Sequence, residues 1–247
     1  MYPGEPERSP GDLIFSLFGF PVRIHPLFWV TTVLLGLGPR LEDLKQLVAW
    51  VLAVFLAILI HELGHAFVMR SYGFRPWITL YGFGGLTSRG GGYYHSRGES
   101  SLAQIMISAA GPGAGFLLAF VVAVLLSISG HEVHKGLAGG FLPYVVLGSE
   151  VGSPLLTDFI DDLLWVSVFW GAINLLPIYP LDGGQIAREI LMRLNPREGL
   201  HLSLVVSLLT AGTMVLVSFL KFHHDWFMAI FFLYLAYVSY TSLGSTR

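Results

Sequence analysis

At 247 residues, 54% of them apolar and only 12% charged, the chain falls outside the soluble globular class and reads as a polytopic membrane protein. A net charge of -2 offers no basic surface for nucleic acid. Cysteine is absent, which removes disulfides, thiolate ligands and cysteine nucleophiles, so any bound metal must be held by His and Asp or Glu.

Met1 to Gly19 carries Glu5, Glu7, Arg8 and Asp12 before a short apolar run and does not match a cleaved signal peptide. Phe18 to Gly38 reads as the first of about six membrane-spanning helices, entered through Pro21, Arg23, His25 and Pro26. Pro39 to Gln46 is a charged turn. The second span runs from Leu47 to Met69, a length of roughly 34 Å as a helix against a hydrocarbon core of about 30 Å. Inside it lies His61-Glu62-Leu63-Gly64-His65. Imidazoles at i and i+4 share one helical face, and that spacing suits two ligands of one Zn2+. The adjacent carboxylate of Glu62 is placed to accept a proton from water activated there. Two imidazoles and a carboxylate in hydrocarbon are costly unless paired or ligated, so their presence in a spanning helix points to function.

Arg70 to Ser101 is glycine-rich, and the β-favouring residues on either side of Gly82-Phe83-Gly84-Gly85 predict short strands. The edge of such a strand can accept an extended peptide through main-chain hydrogen bonds. Leu102 to Ser129 is the third span, with Gly111 and Gly115 forming a small-residue face for helix packing and Pro112 allowing a kink. The apolar run Leu137 to Leu147 is too short for a span and reads as an interfacial or re-entrant piece. Leu163 to Leu181 is the fourth span. Pro177 and Pro180 break it at membrane depth, where irregular backbone needs a protein or water-filled surround. Asp182, just beyond, needs a partner at that depth and fits as third ligand beside His61 and His65, with a fourth position left to water. The fifth and sixth spans are Leu200 to Leu220 and Trp226 to Leu243.

Starting inside, this topology places ten basic residues (Arg8, Arg23, Arg70, Arg75, Arg89, Arg97, Arg188, Arg193, Arg197 and Arg247) on one side, against four (Arg40, Lys45, Lys135 and Lys221) on the other. That bias predicts cytoplasmic N- and C-termini and brings His61, His65 and Asp182 towards the cytoplasmic face. The expected fold is therefore all-α and polytopic, with a short membrane-associated β segment between spans two and three.

HELGH in a membrane helix, followed far downstream by Asn174-Leu175-Leu176-Pro177-Ile178-Tyr179-Pro180-Leu181-Asp182-Gly183, resembles the HExxH and N-x-x-P-x-x-P-x-D-G signatures of the site-2 protease family of intramembrane zinc metalloproteases. The resemblance implies one zinc ion per chain on His61, His65 and Asp182, with Glu62 as catalytic base. It implies that Asn174 positions substrate and that the Gly82 to Thr87 stretch, with Gly82, Phe83, Gly84, Gly85 and Leu86, contacts it. Gly111-Pro112-Gly113-Ala114-Gly115 is similar to the family's G-P-x-x-N element, with Gly115 where asparagine is common. No stretch is long and polar enough for a PDZ or CBS domain, so residues 1–247 are expected to form a single transmembrane domain. The implied partners are the lipid bilayer and single-span membrane-protein substrates or their remnants, cut on the cytoplasmic side in the inner or plasma membrane of a bacterium or archaeon. A divalent metal transporter or a membrane metal sensor is the competing class, since ion-coordinating His and Asp near the membrane interior would serve it too.

Overall fold

The computed structural model describes residues 6–40, 43–82, 84–89, 100–138, 140–221 and 226–244. Phe83, Arg97 and Arg247 lie outside these described residues. The chain is mostly helical, and four helices are long and apolar enough to cross a membrane: α2 (Leu44–Ser71), α3 (Ser101–Ile128), α7 (Gly199–Lys221) and α8 (Trp226–Gly244). Asp43 caps α2 by accepting the N–H of Lys45, and Ser100 caps α3 by accepting the N–H of Ala103. The charged turn before the HELGH helix thus also sets where that helix begins.

The expected first span is corrected by the structure. Residues 20–24 form a strand, β2 (Phe20–Ile24), paired antiparallel with β1 (Leu13–Leu17), and only Pro26–Arg40 is helical (α1). Phe18 and Gly19 turn the hairpin with φ of 52° and 80°, the two positive values that a two-residue type I′ turn requires. Phe20, Val22 and Ile24 alternate into the core while Pro21 stays exposed. β2 then pairs in parallel with β3 (Trp77–Tyr81), which pairs antiparallel with β4 (Gly84–Ser88), giving one sheet in the order β1-β2-β3-β4. The β segment expected between spans two and three is present, and the N-terminal hairpin doubles its width.

The fourth span also differs from its expected limits. Helix α4 (Pro154–Trp165) begins earlier, runs through a π-helical turn at Val166–Trp170 and ends in the short α5 (Gly171–Asn174). The segment expected to be re-entrant is an antiparallel hairpin of β5 (Val133–Ala138) and β6 (Leu142–Leu147). Asp161 fastens it to α4 by accepting the N–H of Leu147 at 2.6 Å.

Two apolar cores flank the α4–α5 run. One joins the inward faces of β2 and β3 (Val22, Ile78, Leu80) to Ala53, Ala57 and Ala66 of α2. The other joins Phe169, Ile173 and Ile178 to Ala211 of α7 and Phe232 of α8. Between them the loop 175–181 descends to α6 (Asp182–Leu194), which packs against α3 and α7. This layering sets three elements around one point: the HELGH turn of α2, the middle of α3 and the start of α6.

Candidate metal centre

The α2 half of the centre follows from helix geometry alone. His61 and His65, one turn apart, direct their Nε2 atoms together at 3.1 Å, and both residues are buried. His65 Nδ1 lies 2.7 Å from the carbonyl of Ile107 in α3. A carbonyl only accepts, so Nδ1 carries the proton and Nε2 presents its lone pair to the cluster.

Asp182 completes the set from 121 residues further along the chain: its Oδ2 lies 3.1 Å from His61 Nε2 and 3.3 Å from His65 Nε2. Its placement depends on the loop before it. Pro177 and Pro180 prevent a continuous helix there, and fully buried Ile178 anchors the turn. Tyr179 is held through both of its main-chain polar groups: its N–H donates to Ser207 Oγ of α7 at 3.1 Å, and its carbonyl accepts from Ser239 Oγ of α8 at 3.3 Å. A side chain on Gly183 would overlap the carbonyls of Leu175 and Leu176, so the first turn of α6 packs directly on the loop.

The donor set fits a metal ion. Three donors bound tetrahedrally at 2.0–2.2 Å stand about 3.3–3.6 Å apart, and the three atoms here form a nearly equilateral triangle of 3.1–3.3 Å. Gly111 of α3 forms the wall beside them. A Cβ there would overlap His65 Nε2 and lie 2.6 Å from His61 Nε2, so the space that glycine leaves open is the space next to the donors. The sequence suggested helix packing for Gly111, and the structure gives it a second task. The signal was available only as the spacing Gly111 to Gly115, which says nothing about what faces it.

Glu62, 5% exposed, sits about 100° round α2 from His61 and meets β4. Thr87 Oγ1 lies 2.7 Å from its Oε2 and 3.1 Å from its main-chain oxygen. A Cβ on Gly85 would overlap Glu62 Cγ and lie 2.6 Å from Cδ, which explains a glycine at that strand position. Burial raises the Tyr81 phenol above its ordinary value, with Tyr234 and the Glu62 carboxylate adding to the effect. Of the other expected substrate-contacting residues, Gly82 and Gly84 face open space, and Leu86 lies on β4 between Gly85 and Thr87 and so points to the opposite face. Thr31 of α1 holds the hairpin turn by donating to the carbonyl of Gly82. Asn174 ends α5, and its side-chain N–H donates at 3.1 Å to the carbonyl of Trp170, the last residue of the π-helical turn before it. Gly115 lies against the main chain of the π-helical turn: a Cβ there would stand 3.2 Å from the Ser167 carbonyl.

The model of peptidase family M50 matches residues 49–218, which takes in most of α2, strands β3 and β4, α3 and the Asp182 loop. The chain belongs to peptidase family M50. Among relatives of this M50 chain, a zinc metalloprotease of Methanocaldococcus jannaschii is 26% identical over 182 residues, covering 73% of this chain and 45% of the relative. Stage IV sporulation protein FB of Bacillus subtilis is 26% identical over 182 residues, covering 73% of this chain and 51% of the relative. The chain thus spans about half the length of these two relatives. The solved structure of the site-2 protease from Methanocaldococcus jannaschii has a similar fold, with a TM-score of 0.56 at 20% identity over 94% of this chain and 95% of that one. The recognition drawn from the two sequence motifs and the family match agree.

Proposed function

We propose that this M50 chain is a zinc-dependent endopeptidase that cuts the transmembrane segments of membrane-anchored proteins near the cytoplasmic face of the bilayer. The observation that carries the reading is the convergence of His61, His65 and Asp182 on one point with the Glu62 carboxylate on the same turn of α2. Zinc held by the three donors supplies a Lewis acid that polarises a peptide carbonyl and acidifies water. Glu62 takes the proton of the attacking water and returns it to the leaving amine. Gly85 keeps β4 close to that carboxylate, and the outer edge of β4 offers main-chain groups to an unwound stretch of substrate. Unwinding is necessary, because the amides of an intact spanning helix are bonded internally.

In this reading residues 1–247 act as one transmembrane domain with both termini cytoplasmic. The α1 helix and the continuous α4–α5 run serve with the four long helices as the six spans. Asn174 exchanges its contact with the Trp170 carbonyl for one to the substrate main chain. A metal transporter would need further ligands along a path. Among the described residues, His61, His65 and Asp182 make the one group of three able to share an ion.

The test is zinc content and cleavage of a single-span membrane protein by the full chain reconstituted in lipid, for the native protein and Glu62→Gln. Expected are about one zinc per chain in both and a loss of cleavage of at least about 100-fold in the variant. Zinc flux across the liposome, insensitive to Glu62→Gln and without cleavage in either protein, would refute the protease reading.

A further inference from the structure

Glu62 is a buried carboxylate next to two imidazoles, and a buried ionised carboxylate needs hydrogen-bond donors. The donor is supplied from outside the helix. Thr87, the last residue but one of the M50 sheet's last strand, places its hydroxyl 2.7 Å from Glu62 Oε2. That hydroxyl has one proton and two acceptors in reach, the carboxylate and the Glu62 carbonyl at 3.1 Å. The contact to the carboxylate is the shorter of the two and lies at the commonest O–H···O distance, so the proton goes to the carboxylate.

The strand enforces this contact. Gly85 and Thr87 alternate onto the same face of β4, and that face meets Glu62: the first has no side chain to displace the carboxylate, and the second binds it. Opposite them, Leu80 and Ile78 are fully buried against α2, so the register that seats β3 in the core also fixes where the Thr87 hydroxyl falls. A β-branched residue in a strand has few side-chain rotamers open to it, which holds the hydroxyl in place.

We propose that Thr87 is a positioning residue for the reaction: its hydroxyl fixes the Glu62 carboxylate through Oε2 and so sets the direction in which that carboxylate meets the proton it must take. The inference rests on the protease reading given above and adds a role to it. Thr87 touches neither the metal donors nor, in this arrangement, the substrate. Because β4 is also the strand whose outer edge would receive substrate, docking of a peptide and orientation of the base are carried by one five-residue element.

Thr87→Val keeps the shape and the β-branching and removes only the hydroxyl, whereas Thr87→Ser keeps the hydroxyl. On the full chain in lipid, Thr87→Val is expected to lower kcat by about tenfold or more, with KM within about twofold of native and zinc content unchanged. Thr87→Ser is expected to restore kcat to within about threefold of native. An independent reading comes from the infrared carboxylate stretch of Glu62, isolated as the difference between isotope-labelled native protein and Glu62→Gln. Its position should shift in Thr87→Val and return in Thr87→Ser.

A Thr87→Val protein with native kcat, or with a raised KM alone, overturns the proposal. Loss of zinc in Thr87→Val and Thr87→Ser alike also overturns it, as a structural role. In both cases cleavage by native protein and its loss in Glu62→Gln leave the protease reading standing. If native protein cleaves nothing and carries zinc across the liposome, with flux unchanged in Glu62→Gln, the protease reading fails by itself. The infrared comparison then decides whether Thr87 binds Glu62.

Discussion

The two halves of the metal centre reach the same point by opposite means. His61 and His65 arrive together because one helical turn separates them, and the buried run of α2 that carries them takes its shape from its own helical main chain. Asp182 arrives on a loop that two prolines keep from being a helix, and that loop holds its shape through hydroxyls lent by two other helices. A centre built this way should fail in two manners. Changes on the helical side act by filling the ion's space, and changes on the loop side act by letting a ligand drift.

The largest effect should come from filling the space. Gly111→Ala places a methyl group over His65 Nε2, while Gly113→Ala, two residues away on the same helix, meets nothing within 4 Å. Either substitution favours the helix by about 1 kcal/mol through intrinsic propensity. The pair therefore separates metal binding from folding. Zinc per chain in Gly111→Ala should fall at least about tenfold while Gly113→Ala keeps its full content, both measured by elemental analysis after gel filtration. Equal zinc in the two variants would mean that α3 does not wall the ion.

On the loop side a smaller, graded loss is expected. Ser207→Ala takes away the acceptor of the part-buried Tyr179 N–H, and leaving that group unmet costs at most what a fully buried one does, about 1–3 kcal/mol. The loop can relax, so that cost is shared between a shifted Asp182 and a loosened α7 contact. Zinc affinity should weaken by about tenfold, as for other groups that support a ligand from behind, and chelator competition would measure it. Ser239→Ala removes the longer contact, to the carbonyl of the same residue, and should do less. If both variants match native affinity, Ile178 packing alone holds the loop.

The difference between the halves also accounts for what could be read from the sequence. HELGH declares its geometry within five residues. Asp182 was inferable because a carboxylate after two prolines at membrane depth needs a partner, even though nothing local indicates that Ser207 and Ser239 steady it. Thr87 and Gly111 are visible as residue types, yet their tasks depend on which strand and which helix face α2. The misread first span has the same origin. Phe20, Val22 and Ile24 alternate as a strand should, but their partner is Ile78 to Leu80, more than fifty residues away in a parallel pairing that no local pattern specifies. The β5–β6 hairpin did carry a local sign, the pair Gly139-Gly140 ahead of the apolar run Phe141 to Leu147, and apolarity in a membrane chain hid it.

That N-terminal addition supplies the smallest effect and limits how far the centre's influence extends. Arg23 of β2 draws the leading segment back over the sheet. It donates to Asp12 Oδ2 at 3.1 Å and to the carbonyls of Pro6 and Glu7 at 2.9 and 3.4 Å. Burial alone would raise the Asp12 carboxyl, but the Ser9 N–H and the Arg23 guanidinium outweigh it and hold the carboxyl below its ordinary value. A carboxyl lowered by folding stabilises above its unfolded pKa and loses that contribution as pH falls through the folded value, so the contact is fully formed at neutral pH. Asp12→Asn should therefore speed hydrogen exchange of β1 at pH 7, with native and variant rates converging only at pH below the ordinary carboxylate range. Zinc content and cleavage should not change, because β1 lies three strands from β4 in the sheet. Loss of zinc in Asp12→Asn would show that strain entering at the far edge of the sheet reaches Glu62, and the sheet would then have to be treated as one rigid lever on the catalytic base.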